Sequence, residues 1–344
     1  MTESKVVFFS VDNIKPNMEI LKNAGDNVEF FQTPKGPLDI TAEDGFYDAA
    51  GIAVFDMNSK LGAADLAKFK NLKFVACRST GFDNLDTAYC KSHGIRVFNV
   101  PNYGETTVAE YTIAMILALT RFIVRANNDM KNGLKIEINN YTGRDLSAWT
   151  LGVVGMGAIG RSVAKKAIAL GLKVIAYDPY PSAAYEGLLG FKYVSLDYLI
   201  KNADIISLHS PSTKENYHLL NAKAFADMKR GVYIINTARG DLIDNKALYE
   251  ALHSGKVAGA ALDVLEDEGL LIQKNNVAQI EKVSKEDLVI LSINTKLLEV
   301  KNVIVTPHIA FDTLEAKNRI MDHSCNNIVY YFRPELGRPS EPKI

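Results

Sequence analysis

Three kinds of polar side chain follow three separate apolar runs in the second half of the chain. Arg239 comes after Ile234–Asn236, an acidic cluster containing Asp263 and Glu268 comes after Leu262, and His308 comes after Val305. In parallel α/β sheets the ligands lie beyond the carboxyl ends of the strands. A nicotinamide dehydrogenase that acts on a 2-keto acid needs these residue types. The arginine grips the carboxylate, the histidine passes the proton, and the carboxylate orients the histidine.

Each of these side chains also has an ordinary structural interpretation. Arg239 could form a surface ion pair, Asp263 could cap a helix or a turn, and His308 could be a hydrogen-bonded loop histidine. The chemistry above requires no metal, and no spacing of His, Cys or Asp in the sequence suggests a metal site.

The stretch Trp149–Asp178 predicts the element that would supply a cofactor. Apolar runs at Leu151–Val154 and Val174–Tyr177 flank a helical segment, and the second run ends on Asp178. Between them lies a G-x-G-x-x-G motif formed by Gly155, Gly157, Ala158, Ile159 and Gly160. Glycines at these positions permit a tight turn, close approach of a pyrophosphate, and close packing of helix on strand. Asp178 can accept hydrogen bonds from ribose hydroxyls and would repel a 2′-phosphate, which favours NAD over NADP. The alternative is a glycine turn in some other α/β protein.

The remaining sequence predicts two groups of alternating strands and helices. Residues 1–100 alternate in this way without a glycine fingerprint, and residues 151–306 predict a six-stranded doubly wound sheet. A helix over roughly Thr106–Met130 is apolar nearly all round in its middle, so we expect it to lie in a core or against another subunit. Residues 265–302 form a charged, irregular segment that is predicted to contain some helix of its own.

Composition narrows the class of protein. The chain has 344 residues and a net charge of −1, so we expect no nucleic-acid partner and no binding to an anionic membrane. The start of the sequence lacks a signal-peptide pattern, and no apolar stretch is long enough to span a bilayer. The three cysteines are scattered, which favours buried thiols in a cytoplasmic protein.

The chain resembles the D-isomer-specific 2-hydroxyacid dehydrogenases, and the resemblance covers nearly its whole length. The motifs that carry it occur in the order typical of the family: R-S-T-G-F-D-N-L-D, N-V-P-N-Y-G-E-T-T-V-A-E, G-V-V-G-M-G-A-I-G, I-I-N-T-A-R-G-D-L-I-D, A-A-L-D-V-L-E-D-E and V-T-P-H-I-A-F. The last two are most similar to the D-lactate dehydrogenases and their relatives that act on larger 2-keto acids.

The resemblance implies roles for individual residues. Arg239 would bind the substrate, and Glu268 would pair with His308 as acid/base. The choice of Glu268 over Glu266 rests on local spacing alone. The N–H groups of Thr80 and Gly81 would hold the substrate carboxylate. Other residues that the resemblance implies line the substrate pocket (Tyr103 and Phe311) or contact the cofactor (His209, Pro211, Thr237, Ala238 and Asp263).

The resemblance also implies the fold and the partners. It implies two doubly wound parallel-sheet α/β domains, with a Rossmann NAD domain (103–306) inserted into a flavodoxin-like substrate domain (1–102 and 307–344). The partners would be NAD and a small 2-keto or 2-hydroxy acid, and a homodimer would form through the 105–130 helix region. Enzymes for hydroxyisocaproate, glyoxylate or hydroxypyruvate, or phosphoglycerate remain alternatives to D-lactate dehydrogenase. So does an NAD-binding regulatory protein of the corepressor type. A phosphate-bearing substrate would require an additional cationic side chain near the substrate loop, and Arg78 is the only candidate there in the sequence.

Overall fold

The computed structural model describes residues 4–55, 61–82, 84–272 and 284–337. Contacts within the chain divide it into a first unit, Met1–Tyr103 with Thr313–Ile344, and a second unit, Gly104–Asp312. The return crossing therefore lies after Asp312, whereas the sequence analysis placed it after 306. The stretch between these points belongs to the second unit because its backbone is hydrogen-bonded to Asp263, as described below.

The elements follow one another along the chain as alternating strands and helices. The strands are β1 (Ser4–Phe9), β2 (Val28–Thr33), β3 (Gly51–Val54), β4 (Phe74–Cys77), β5 (Arg96–Phe98), β6 (Thr150–Val154), β7 (Lys173–Tyr177), β8 (Lys192–Tyr193), β9 (Ile205–Leu208), β10 (Val232–Asn236), β11 (Val257–Leu262) and β12 (Val303–Val305). The helices are α1 (Met18–Leu21), α2 (Ala63–Leu66), α3 (Thr87–Ser92), α4 (Glu105–Thr120), α5 (Ile123–Lys131), α6 (Ala158–Ala169), α7 (Ala183–Leu189), α8 (Leu196–Asn202), α9 (Ala222–Asp227), α10 (Asn245–His253), α11 (Glu268–Ile272), α12 (Lys285–Glu299) and α13 (Leu314–Phe332).

The first unit is built on a parallel sheet in the order β2-β1-β3-β4-β5. This is the flavodoxin-like doubly wound order. Apolar side chains cover both faces of the sheet, as its nearly continuous hydrophobic strands require. Helix α13 returns from the end of the chain and buries Cys325, Ile328 and Val329 in one of these two cores.

The second unit contains a parallel sheet in the order β12-β11-β10-β9-β6-β7-β8. The order reverses between β6 and β9, and this reversal is the switch point at which Rossmann folds bind dinucleotides. Within the described residues the sheet has a seventh strand beyond the predicted six. The fold class expected from the sequence is confirmed: both units are parallel-sheet α/β structures, and the second unit is inserted into the sequence of the first.

The apolar helix predicted over Thr106–Met130 is two helices. The axes of α4 and α5 meet at 59°. Phe122, between them, adopts a left-handed φ of 56°. No glycine or proline marks this break. Arg125 stabilises it with one distant and one local contact: it donates to Asn302 Oδ1 at 3.1 Å, and its guanidinium lies over the Phe122 ring. Within the described ranges no single helix is long and apolar enough to cross a membrane. The α4–α5 pair passes that test by length and composition alone.

The irregular segment 265–302 does contain helix, as predicted. It includes α11 and α12, and Ser284 caps α12 by accepting a hydrogen bond from Asp287 N. Residues 273–283 lie outside the described part of the chain.

Candidate active site

The glycine turn after β6 has the shape that a dinucleotide requires. Gly155 has a φ of 92°, and a Cβ there would lie 2.7 Å from the backbone nitrogen of Ser210. A Cβ on Gly160 would lie 2.0 Å from the carbonyl oxygen of Gly155. Gly157, in contrast, faces space with no described atom within 4 Å of a built Cβ. The turn is closed on two sides and open on the third, directly before α6 begins at Ala158.

The other two residues of the glycine fingerprint, Ile159 and Asp178, have different roles: one packs in the core and the other accepts hydrogen bonds. Ile159, in the first turn of α6, packs against the core beneath the sheet. Asp178, after β7, accepts hydrogen bonds from Met156 N at 2.7 Å and from Tyr180 N at 2.8 Å. Its carboxylate therefore holds the glycine turn in place. Each oxygen keeps a further lone pair for a ligand hydroxyl.

The loop after β9 carries His209 and Pro211. His209 Nε2 lies 2.8 Å from the Ser207 hydroxyl, while Nδ1 is buried without a hydrogen-bond partner among the described residues. Burial lowers the pKa of His209 to about 3, so the imidazole is neutral. The backbone of His209 and Ser210 lies beside the glycine turn, because it is what a side chain at Gly155 would strike. Pro211 is exposed, and its carbonyl oxygen accepts from Asn216 Nδ2.

Arg239 lies in a tight turn after β10. The fully buried Asn236 shapes that turn, because its amide donates to the Arg239 carbonyl at 2.8 Å and accepts from Ala238 N at 3.0 Å. Thr237 Oγ1 lies 2.9 Å from Thr112 Oγ1, which donates to the backbone of α4, so Thr237 is the donor of that pair. The Arg239 side chain is half-buried, and Nη1 donates to the Ala238 carbonyl.

Asp263 directly follows β11 and is completely buried. Its Oδ1 accepts from the Thr306 hydroxyl at 2.5 Å and from Ile309 N at 3.0 Å, and its Oδ2 accepts from Ala310 N at 2.8 Å. The sequence analysis assigned Asp263 to the cofactor. Its observed contacts instead shape the loop that carries His308, and direct contact with a cofactor stays a prediction.

His308 pairs with Glu268. His308 Nδ1 lies 2.6 Å from Glu268 Oε1, and the other carboxylate oxygen accepts from Leu265 N at 3.2 Å. This geometry distinguishes the two candidate glutamates, because Glu266 instead contacts the ring of His218 at 3.1 Å. The backbone of His308 has a left-handed φ of 56°, which costs a non-glycine residue about 1–3 kcal/mol. Such strain persists where the surroundings fix it, and here the His308 N–H donates to the carbonyl of Asp263.

The residues predicted to hold a substrate carboxylate lie in the first unit, directly after β4. Thr80 Oγ1 donates to the Val100 carbonyl at 2.9 Å, and Ser79 Oγ donates to the Gly81 carbonyl at 2.6 Å. Within the described part of the chain, the backbone N–H groups of Thr80 and Gly81 have no hydrogen-bond acceptor. They are therefore available to an anion.

Arg78 turns away from this loop. Its guanidinium is buried, donates to the carbonyl oxygens of Phe9 and Ser10, and contacts Met321 Sδ at 3.6 Å. Burial lowers the pKa of Arg78 to about 10. The cation considered in the sequence analysis for a phosphate group therefore points into the core.

The two aromatic residues predicted to line the substrate pocket, Tyr103 and Phe311, belong to different units. The carbonyl oxygen of Tyr103, at the end of the first unit's leading segment, accepts from Arg319 Nε at 2.7 Å. Phe311 belongs to the second unit, is buried, and lies beside Gly104.

Several residues that position the site were not predicted from the sequence. Asn236 shapes the Arg239 turn, and Thr306 bonds to Asp263. Burial raises the pKa of Tyr111, whose phenol also contacts Thr306. The N-T-A-R and V-T-P-H strings contain Asn236 and Thr306, and a search for polar residues at strand ends would have found both.

Comparison with known proteins agrees with this geometry. The model of the D-isomer specific 2-hydroxyacid dehydrogenase NAD-binding domain matches residues 113–310. The chain belongs to the D-isomer-specific 2-hydroxyacid dehydrogenase family. A hydroxypyruvate reductase from Thermotoga maritima is 42% identical over 262 residues, covering 76% of this chain and 78% of that protein. A D-lactate dehydrogenase from Escherichia coli K12 is 37% identical over 281 residues, covering 82% of each.

Solved structures of D-2-hydroxyacid dehydrogenases share the fold. The Aquifex aeolicus D-lactate dehydrogenase, solved with NAD and lactic acid, superposes with a TM-score of 0.82 at 36% identity and 96% coverage of both chains. The chain is thus an NAD-dependent D-2-hydroxyacid dehydrogenase, an oxidoreductase whose cofactor is NAD. Its residues fit that cofactor. The open face at Gly157 leaves room for the pyrophosphate, and Asp178 has acceptor capacity for the ribose.

Proposed function

We propose that this D-2-hydroxyacid dehydrogenase interconverts pyruvate and D-lactate. The observation that carries the proposal is the His308–Glu268 pair at 2.6 Å, beyond the carboxyl ends of the adjacent strands β12 and β11. Arg239 follows the next strand of the same sheet, β10. The carboxyl ends of three adjacent strands therefore supply a cation, a carboxylate and a histidine.

Each group has a definite task in the proposed reaction. When bound, NADH supplies the hydride that C2 of the keto acid accepts. Arg239 binds the keto acid's carboxylate with a two-pronged grip. Glu268 accepts a hydrogen bond from the Nδ1–H of protonated His308, and the Nε2–H of the same ring delivers its proton to the carbonyl oxygen. The N–H groups of Thr80 and Gly81 are proposed as further carboxylate donors, and their lack of acceptors within the described residues supports this role.

The surroundings of Arg78 favour an unphosphorylated substrate. A phosphate would require a cation near the substrate loop, and Arg78 instead donates to the core carbonyls of Phe9 and Ser10. The relatives include enzymes named for hydroxypyruvate, D-lactate, aromatic 2-oxoacids, phosphoglycerate and glyoxylate. We favour pyruvate among these because the D-V-L-E-D-E and H-I-A-F strings resemble the D-lactate branch.

A substrate panel tests the proposal. NADH oxidation is followed with pyruvate, hydroxypyruvate, glyoxylate, phenylpyruvate, 4-methyl-2-oxopentanoate and phosphohydroxypyruvate, each at several concentrations. We expect the highest kcat/KM with pyruvate and a D-configured product. A higher kcat/KM for phosphohydroxypyruvate would overturn the argument from Arg78. A higher value for another unphosphorylated acid would keep the reaction but replace the substrate.

We also propose that the enzyme acts in the cytoplasm as a homodimer. All three cysteines are free and buried, as suits a reducing compartment. The region from α5 onward exposes a series of apolar side chains: Ile123, Met130, Leu134, Ile136 and Ile138. Such a cluster is typical of a surface that binds another protein, and this region adjoins the helix for which the sequence predicts a subunit contact.

A further inference from the structure

The structure contains a second histidine–glutamate pair, His218 with Glu266, and Glu266 lies two residues before Glu268. Glu266 accepts a hydrogen bond from the Tyr217 hydroxyl at 2.8 Å, and both of its oxygens lie 3.1 Å from His218 Nε2. The Glu266 side chain is 12% exposed. Its hydrogen bond with Tyr217, together with burial and the nearby carboxylates of Asp241 and Asp267, raises the pKa of Tyr217 to about 12. Tyr217 therefore remains a donor throughout the working pH range.

The backbone around Glu266 is held as firmly as its side chain. The Glu266 carbonyl accepts from Asn294 Nδ2 at 2.8 Å, and the buried Asn294 is bonded in turn to Asn245. On the other side the segment packs against Gly240, where a Cβ would lie 2.0 Å from the carbonyl carbon of Leu265. Residues Val264–Glu268 are thus wedged between α12 and the turn that follows Arg239.

The loop that carries Tyr217 and His218 is anchored to the same turn. The backbone N–H of His218 donates to the carbonyl of Asp241 at 2.8 Å, and Leu220 N donates to the carbonyl of Leu242. His218 has a left-handed φ of 50°. A strained histidine with its ring on a carboxylate is typical of a functional constraint.

We propose that Tyr217 and His218 are positioning residues that fix Glu266 and thereby place Glu268 against His308. This inference rests on the proposed acid/base role of His308. The mechanical connection is short, because only Asp267, with a left-handed φ of 48°, separates Glu266 from Glu268. A displaced Glu266 would rotate Glu268 away from His308 Nδ1.

The competing explanation is that Glu266 acts on His308 only by charge through space. The two explanations predict different signs. Reduction of a keto acid needs a protonated His308, so kcat/KM falls on the alkaline side of its pH profile. If Tyr217 and His218 act by positioning, Glu266→Gln and His218→Asn both weaken the contact of Glu268 with His308. Both variants then move the alkaline limb, the fall of kcat/KM at high pH, to lower pH. If Glu266 acts only by its charge, Glu266→Gln moves the alkaline limb to lower pH. His218→Asn then moves the alkaline limb to higher pH or leaves it unchanged.

The experiment measures pH profiles of kcat and kcat/KM for the best 2-keto acid of the panel at saturating NADH. Asparagine is chosen at position 218 because it tolerates a left-handed φ. General acid catalysis contributes about 10²–10⁴-fold, and we expect partial misplacement to lower kcat about tenfold in both variants, with KM nearly unchanged. Tyr217→Phe, which removes a single hydroxyl from an exposed residue, should shift the limb in the same direction by less.

His253→Asn is the matched control. His253 also lies beside a tyrosine ring, that of Tyr249, but it is the last residue of α10 and makes no hydrogen bond to the acidic loop within the described residues. The proposal is overturned if His218→Asn and Tyr217→Phe leave the alkaline limb in place or raise it while wild type turns over normally. A wild type without turnover on any 2-keto acid would instead reject the proposed function.

Discussion

His308 Nδ1 lies 2.6 Å from Glu268 Oε1; His308 lies in the loop after β12, and Glu268 begins α11, which follows the neighbouring strand β11. This contact fixes which ring nitrogen faces the carboxylate and leaves Nε2 for the substrate. Neither side chain is fully enclosed, since His308 is 25% and Glu268 19% exposed.

His308→Gln removes the proton donor, and we expect kcat for 2-keto acid reduction to fall by about 10²–10⁴-fold. Glu268→Gln keeps a hydrogen-bond acceptor at Nδ1 but loses the charge, so its loss should be smaller, with the alkaline limit of kcat/KM moving to lower pH. Steady-state kinetics from pH 5 to 9 measure both effects. NADH affinity, followed by fluorescence, is the control and should change little. Retention of most turnover by His308→Gln would remove His308 from the chemistry.

Arg239 is expected to act on substrate binding through its planar fork. Losing a charge-assisted bidentate contact costs roughly 1.5–3 kcal/mol, so Arg239→Gln should reduce kcat/KM for the keto acid by about 10- to 100-fold. Arg239→Lys keeps the charge without the fork and should recover only part of this loss. Arg230→Gln, an exposed arginine of the same unit that donates to Ser254 O, is the control. An Arg239→Gln enzyme with unchanged KM and kcat would contradict the clamp.

Asp178 should set the preference for NADH over NADPH. The Asp178 carboxylate also accepts hydrogen bonds from Met156 N and Tyr180 N. Asp178→Asn is therefore a better test than Asp178→Ala, because asparagine keeps one acceptor oxygen. The ratio of kcat/KM for NADH to that for NADPH should fall about tenfold as the charge that repels a 2′-phosphate disappears. Circular dichroism of the variant checks that the glycine turn still folds. An unchanged ratio would show that Asp178 does not contact the ribose.

Burial of His209 should make the enzyme sensitive to acid. Its pKa of about 3 in the folded state lies below the ordinary value near 6.5. The unfolded chain therefore binds more protons between these values, so stability is full above about pH 6.5 and is lost as the pH falls. We expect the unfolding temperature of the cofactor-free protein to drop more between pH 7 and pH 5 in wild type than in His209→Gln, by about 4 °C. His323→Gln, on an exposed face of α13, should behave like wild type. Equal drops in all three proteins would mean that His209 is protonated in the fold.

The proposed dimer can be tested at exposed apolar positions. Ile138 is 83% and Met130 66% exposed, so Ile138→Asp and Met130→Asp should not disturb the fold of the subunit. Light scattering should give a dimer for wild type and a smaller mass for both variants. Leu188→Asp is the matched control, because Leu188 is 77% exposed on α7, outside the proposed contact. A monomeric wild type, or dimeric Ile138→Asp and Met130→Asp, would exclude this surface.

Much of the second unit could be predicted because its signals are local. The glycines, Asp178 and the helix caps lie next to the structure they control. Ser195, Asp244 and Thr313 are cap-forming residue types, and each side chain accepts a hydrogen bond from a backbone N–H in the first turn of the helix that follows.

Other features depend on residues far away in the sequence. The break at Phe122 is set by Arg125 and Asn302, and the direction of Arg78 by Phe9 and Met321. The division of Glu266 and Glu268 between two histidines requires the loop at 217–218, which no spacing rule connects to the acidic cluster. Such pairings become visible only once the chain is folded.

The left-handed backbone at His308 has a consequence for anyone who evolves this enzyme in the laboratory. Glycine or asparagine suits that conformation better than histidine, so replacing His308 would relieve strain while it removes the proton donor. A library selected for heat resistance alone would therefore enrich inactive clones at this codon. Selection must couple survival to turnover at every round, because stability and activity make opposite demands on this residue.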